Sequence, residues 1–174
     1  HDDTDDSWIV DEGADDVEID VYEPPPYEVL VKVMGTVEVE AGDRTFSSQE
    51  TEMLALFACL RDRSTITKDL VQTNIGDDIS DRTAGNRVSG LRRALGVGPD
   101  GNDLLSKASP GRYSNGCMTL SPLVLTDYDL LRHRYEASLD LGSGDALTVL
   151  RDGLALMRGP LFRVRTGFRW PGPE

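Results

Sequence analysis

Ser80-Asp81-Arg82-Thr83-Ala84-Gly85-Asn86-Arg87-Val88-Ser89-Gly90-Leu91-Arg92-Arg93-Ala94-Leu95-Gly96 is the stretch that decides the fold. At about 100° per residue, Ala84, Val88, Leu91 and Leu95 fall in one narrow arc, while Arg82, Asn86, Ser89 and Arg93 fall on the opposite arc. The spacing predicts a helix from about Ser80 to Leu95, stopped by Gly96 where a left-handed cap is needed. Its outer stripe holds two guanidinium groups, an amide, a hydroxyl and no acid. Arg suits guanine, Asn suits adenine and Ser suits either, so these side chains can read base edges. Arg87 and Arg92 lie on the flanks, better placed for phosphates. A surface helix that carries Arg and Asn only to stay hydrated looks the same in isolation, so the neighbouring elements must separate the two readings.

On the N-terminal side, Tyr27 to Val33, Val37 to Glu40 and Arg44 to Phe46 read as three short strands joined by turns, a small antiparallel sheet. Ser47 or Ser48 then caps a helix to about Asp62, with Met53, Leu56, Phe57 and Leu60 on one apolar stripe. Thr67 caps a shorter helix anchored by Leu70, Val71 and Ile75 and ended by Gly76. On the C-terminal side, Leu104 to Ala108 and Arg112 to Leu120 read as extended strands, with Pro110-Gly111 and Asn115-Gly116 as turns. Sheet, three helices and closing hairpin in this order describe an α+β winged helix-turn-helix, in which the third helix enters the major groove. Lys107 and Arg112 then lie on the wing, beside phosphates or the groove edge.

Beyond Pro122 the chain turns helical. Thr126 or Asp127 opens a helix to about Leu141, Gly142-Ser143-Gly144 links it to a second, and that one runs from Asp145 to about Arg158. The pair reads as an αα-hairpin, a truncated repeat resembling the tetratricopeptide kind, and one such unit cannot bury both of its faces. The chain therefore divides into an acidic, disordered tail or linker over 1–26, a winged-helix domain over 27–122 and the start of a helical domain over 123–174.

The 174 residues, 39% hydrophobic and 6% aromatic, suffice for one modest domain or two small ones, which excludes a large multidomain enzyme. The net charge of −13 is unevenly spread. Residues 1–26 hold eleven acids and no Lys or Arg, while residues 27–174 hold 20 acids against 18 bases. Within 80–115 there are six bases against three acids. The acidic stretch carries Trp8 and closes on Pro24-Pro25-Pro26, a stiff spacer. It reads either as a solvated linker or as an acidic segment with isolated hydrophobics that folds back on the basic helix in place of a phosphate backbone.

Val88-Ser89-Gly90-Leu91-Arg92-Arg93-Ala94-Leu95-Gly96, then Leu104-Leu105 and Pro110-Gly111-Arg112-Tyr113, resemble the OmpR/PhoB-type winged-helix domain of actinobacterial SARP transcriptional regulators. Asp127-Tyr128-Asp129-Leu130-Leu131, Gly144-Asp145-Ala146-Leu147 and Leu154-Ala155-Leu156-Met157-Arg158-Gly159-Pro160-Leu161 resemble the first hairpin of the bacterial transcriptional activator domain that follows it. Ile75-Gly76 stands where that family commonly has Trp-Gly. The resemblance implies a regulator of double-stranded DNA that acts as a homodimer and contacts RNA polymerase or another protein through 123–165. Phe168-Arg169-Trp170 is similar to a subgroup in which the module is the cytoplasmic end of a LysM-containing membrane-anchored protein. A cytoplasmic location without membrane contact by this chain is the expectation.

Catalysis finds little to work with. His1 and His133 are the only imidazoles, and Cys59 and Cys117 form no CxxC, so no enzyme, catalytic residue, cofactor or metal is expected. Gly96-Val97-Gly98 with Gly101 lacks the strand and helix that a phosphate cradle needs. The other class of function is a protein-interaction module on a winged-helix scaffold that no longer binds DNA, a reading the net charge favours.

Overall fold

In a computed structural model the described residues are 22–60, 66–67, 72, 80–107, 110–111, 114–115 and 117–163. They form an α+β fold. Strands β1 (Val29–Lys32) and β2 (Glu38–Glu40) pair antiparallel, Val31 opposite Val39. Helices α1 (Ser48–Leu60) and α2 (Asp81–Leu95) follow, then a ribbon of β3 (Pro110–Gly111) and β4 (Ser114–Asn115), strand β5 (Val124–Thr126), and helices α3 (Asp127–Ser138) and α4 (Ser143–Ala155).

Two expectations about the sheet are corrected. Arg44 to Phe46 is not a strand. The third member is β5, which lies parallel to β1 with Val29 opposite Val124, so the sheet is mixed, in the order β2-β1-β5. Val29 and Val31 are fully buried, and a strand buried on both faces gains most from a partner as apolar as Val124. Arg44 instead ties down its turn, donating from Nη2 to the Val97 carbonyl at 3.1 Å. Pro110-Gly111 is likewise no turn: Pro110 opposes Asn115 and Gly111 opposes Ser114, so both pairs lie in strands.

Helix α1 was expected to show one apolar stripe. It buries Leu54, Ala55 and Ala58 as well as Met53, Leu56, Phe57 and Leu60, because it touches β1 and β5 on one side and α2 on the other. Only its C-terminal part, Met53 to Leu60, is apolar all round and belongs in the middle of the fold; Ser48 and Gln49 are exposed. Most of the expected helix after Thr67 lies outside the described residues, although Gln72 is helical.

The helical pair is joined to the sheet. Thr126 caps α3 in a reciprocal capping box with Asp129. The buried Asp127 carboxylate accepts from the backbone N–H groups of Val33 at 2.8 Å and Met34 at 3.1 Å, which fixes α3 to the turn after β1. Helices α3 and α4 approach closely at Gly153, where an added Cβ would lie 3.0 Å from Leu131 Cδ1. After α4 the chain returns to the same turn: Phe162 N–H donates to Val33 O at 2.8 Å, and Arg158 pairs with Glu38 at 3.0 Å. β5 begins just past Pro122, so the sheet draws on both segments that the sequence reading had separated.

The acidic stretch is described from Tyr22 onward, and Tyr22 is packed while Glu23, Pro24 and Pro26 are exposed. Tyr22 is 6% exposed, its ring lies 4.2 Å beneath the Arg134 guanidinium, and its hydroxyl is 3.1 Å from His133 Nδ1. An aromatic ring with a polar tip can be buried wherever a cation and a hydrogen-bond partner meet it. No helix among the described residues is long and apolar enough to cross a membrane.

Candidate nucleic-acid interface

Helix α2 is held at both ends and along its inner face. The Ser80 hydroxyl accepts from Thr83 N–H, which makes Ser80 the N-cap. Gly96, at φ 68°, closes the other end with its N–H on the Arg92 carbonyl. Ala84, Val88, Leu91 and Leu95 are its buried residues, the four that the helical wheel places inward. Arg82, Asn86, Ser89 and Arg93 are all exposed, and none of their side chains makes a hydrogen bond or ion pair with another described residue. Asp81, the one acid of α2, lies in the first turn off this stripe, where its carboxylate accepts from the Gln72 amide.

The flanking cations differ. Arg87 is half-buried beside the stripe. Arg92, expected at phosphates, turns the other way: Nε donates to Leu105 O at 3.0 Å and Nη2 to Ser106 O at 2.9 Å, with Met118 Sδ at 3.6 Å. The two carbonyls sit beside the helix and have no strand partner on that side, so a forked donor fits them better than a distant anion would. Arg92 is therefore a positioning residue that couples α2 to the hairpin.

Besides the β3–β4 pair, the hairpin is held by isolated bridges. Leu105 bridges Leu120 antiparallel, with Ser106 N–H on Thr119 O at 2.9 Å and Ser121 N–H on Leu104 O at 2.8 Å. On its other side Met118 bridges Ile66. Leu104, Leu105, Met118 and Leu120 are buried, while Lys107 is exposed at the point where the chain leaves the core. Arg112 lies outside the described residues. The structure therefore brings Arg82, Asn86, Ser89 and Arg93 onto one open face, with Arg87 at its side and Lys107 on the neighbouring hairpin, and it sets Arg92 behind them.

Sequence reasoning missed the Tyr22 contact and the two-way role of Asp127. Neither carried a periodic signal, since each depends on residues far along the chain. Burial raises the Tyr22 hydroxyl above its ordinary range, opposed in part by the Arg134 charge. In the loop after α2, Asp100 is lowered by hydrogen bonds from Asn102, chiefly that from the side-chain amide.

Compared with models of known protein families and with curated proteins, the chain matches none.

Proposed function

We propose that the chain is a sequence-specific DNA-binding transcriptional regulator on a winged helix-turn-helix, of the SARP kind that its sequence resembles. Helix α2 lies in the major groove, with Arg82, Asn86, Ser89 and Arg93 toward the bases. Arg87, Lys107 and Arg112 meet phosphates or the groove edge, and Arg92 sets the angle between helix and wing. The observation that carries this reading is the outer stripe of α2, whose four exposed residues include two arginines and no acid although the whole chain has a net charge of −13; Glu50 of α1 reaches only its flank at Gly90. A single module makes few phosphate contacts, so the working form is a homodimer on repeated half-sites, on the cytoplasmic side of the cell.

The test is an anisotropy titration of selected genomic duplexes across a salt series. Association should weaken with a log–log slope of about −3 per bound module and about −5 for the dimer, near −0.9 per phosphate contact. Arg82→Ala with Arg93→Ala should remove the preference for one sequence. Affinity that ignores salt, or that survives the double substitution, overturns the reading.

A second reading has its own support. Leu147 and Leu154, 58% and 60% exposed, lie two turns apart on one side of α4, and Met157 is exposed just past its end. Apolar side chains gathered on one face suit a protein partner such as RNA polymerase, contacted through 123–165. A chain that keeps such a partner but shows no affinity for duplexes at low salt would be an interaction module on a winged-helix scaffold.

A further inference from the structure

Helix α3 carries an exposed pattern that packing within the fold does not use. Tyr128, Arg132, Tyr135 and Leu139 follow one another at intervals of four, three and four residues. At about 100° per residue they share an arc of about 60°. Leu139, the C-cap, continues the helix at φ −68° and ψ −25°. All four side chains are more than half exposed. Helix α4 meets a different side of α3, at Leu131 and Arg134, and Tyr22 takes His133 and Arg134. Intervals of four, three and four are those of a coiled-coil seam, the line along which a second helix lies. Tyrosine and arginine are also the residue types that carry most binding energy at interfaces.

The order of residues along the seam selects the partner. His133 and Arg134 stand midway between Tyr128 and Leu139, and midway between Arg132 and Tyr135. If a second copy of α3 runs antiparallel about a twofold axis at that midpoint, Tyr128 meets the partner's Leu139 and Arg132 meets the partner's Tyr135. Each contact is then made twice, as a closed pair requires. The flat face of a guanidinium stacks on an aromatic ring. Stacking leaves the edge donors of Arg132 on its own helix, where Asp129 and Glu136 lie at 3.7 and 4.0 Å. A parallel pair would instead set Arg132 against the partner's Arg132, two like charges in one seam.

We propose that α3 is a self-association surface, through which two copies of this chain pack antiparallel with Arg132 stacked on the partner's Tyr135 on either side of the twofold. The four side chains offer roughly 450 Å² per protomer, so the pair buries about 900 Å², less than a permanent dimer needs. A contact of this size belongs to the weak class, with a dissociation constant on the order of 0.1 mM. The contact rests on α3 alone, whereas its use rests on the DNA-binding reading. Two copies on adjacent half-sites face each other at an effective concentration of about 1 mM, so the seam closes on the duplex and raises affinity for paired sites about tenfold.

The test is sedimentation equilibrium of the full chain at about 0.15 M NaCl, where repulsion between chains of net charge −13 is screened beyond about 8 Å. A monomer–dimer equilibrium half-complete near about 0.1 mM is expected. Arg132→Ala and Tyr135→Ala should each weaken it about tenfold. Arg132→Tyr with Tyr135→Arg exchanges the two sides of each contact and should restore association to within about twofold of the parent. Leu147→Glu with Leu154→Glu should leave it unchanged. These positions are exposed, so thermal melts of the variants should match that of the parent. A chain monomeric to about 0.5 mM, a dimer indifferent to Arg132→Ala, an exchange variant no better than the single ones, or a dimer dissolved by the α4 substitutions overturns the contact. A dimer without duplex affinity upholds the contact and removes the DNA-binding reading. A monomer that binds a single half-site in the duplex titration overturns the contact and leaves that reading intact.

Discussion

At the scale of single residues, two arginines one position apart on α2 do opposite work. Arg92 points back to two carbonyls, and Arg93 is exposed with no side-chain partner among the described residues. Arg92→Ala should lower unfolding free energy by about 2–3 kcal/mol, since it abandons two partly buried carbonyls and a charge-assisted fork, and Arg92→Lys should recover part of this. Arg93→Ala should change stability by less than about 0.5 kcal/mol while weakening duplex binding. Urea titrations beside anisotropy would separate them, and equal stability losses would refute the assignment. Tyr22 provides a pH test. Its hydroxyl is raised in the folded chain, so its contribution to stability is complete below about pH 10, where the unfolded tyrosine ionises, and is lost as pH rises through the higher folded value. The difference spectrum of Tyr22→Phe against the parent near 295 nm should show its ionisation above pH 10 and coincident with release of the contact to His133.

At the scale of elements, local signals were legible and pairings were not. The inward and outward faces of α2, its Gly96 stop and the start of α3 at Thr126 all follow from spacing and cap chemistry within one or two turns. The parallel neighbour of β1 does not, because nothing in Val29-Leu30-Val31-Lys32 states that Val124 will be chosen over Thr45. Nor does a helical wheel show that α1 is covered on every side. The open face of the site was therefore readable, while the device that aims it, Arg92 against the hairpin, required the partners of Leu105 and Ser106 to be known. Asp127 is the corresponding joint for α3. Asp127→Asn retains the volume but replaces one acceptor oxygen with a donor facing backbone N–H groups, so a loss of about 2–3 kcal/mol by denaturant titration is expected. Ser80→Ala should cost about 1 kcal/mol, confined to the first turn of α2.

At the scale of the whole molecule, charge and apolar surface are sorted to different places. The outer face of α2 is cationic, the stretch before Tyr22 is anionic, and exposed leucines collect on α4. The last group contributes little to this fold. Leu147→Glu with Leu154→Glu should shift the melting temperature by only a degree or two, and a large fall would show that α4 is packed more tightly than its exposure indicates. The mixed sheet has a temporal consequence. β1 can pair with β2 early, but its other edge waits for β5 and the turn beyond it waits for Phe162, so the sheet is completed only after a long stretch of chain has emerged from the ribosome. A nascent chain stalled before β5 would expose Val29 and Val31 to chaperones.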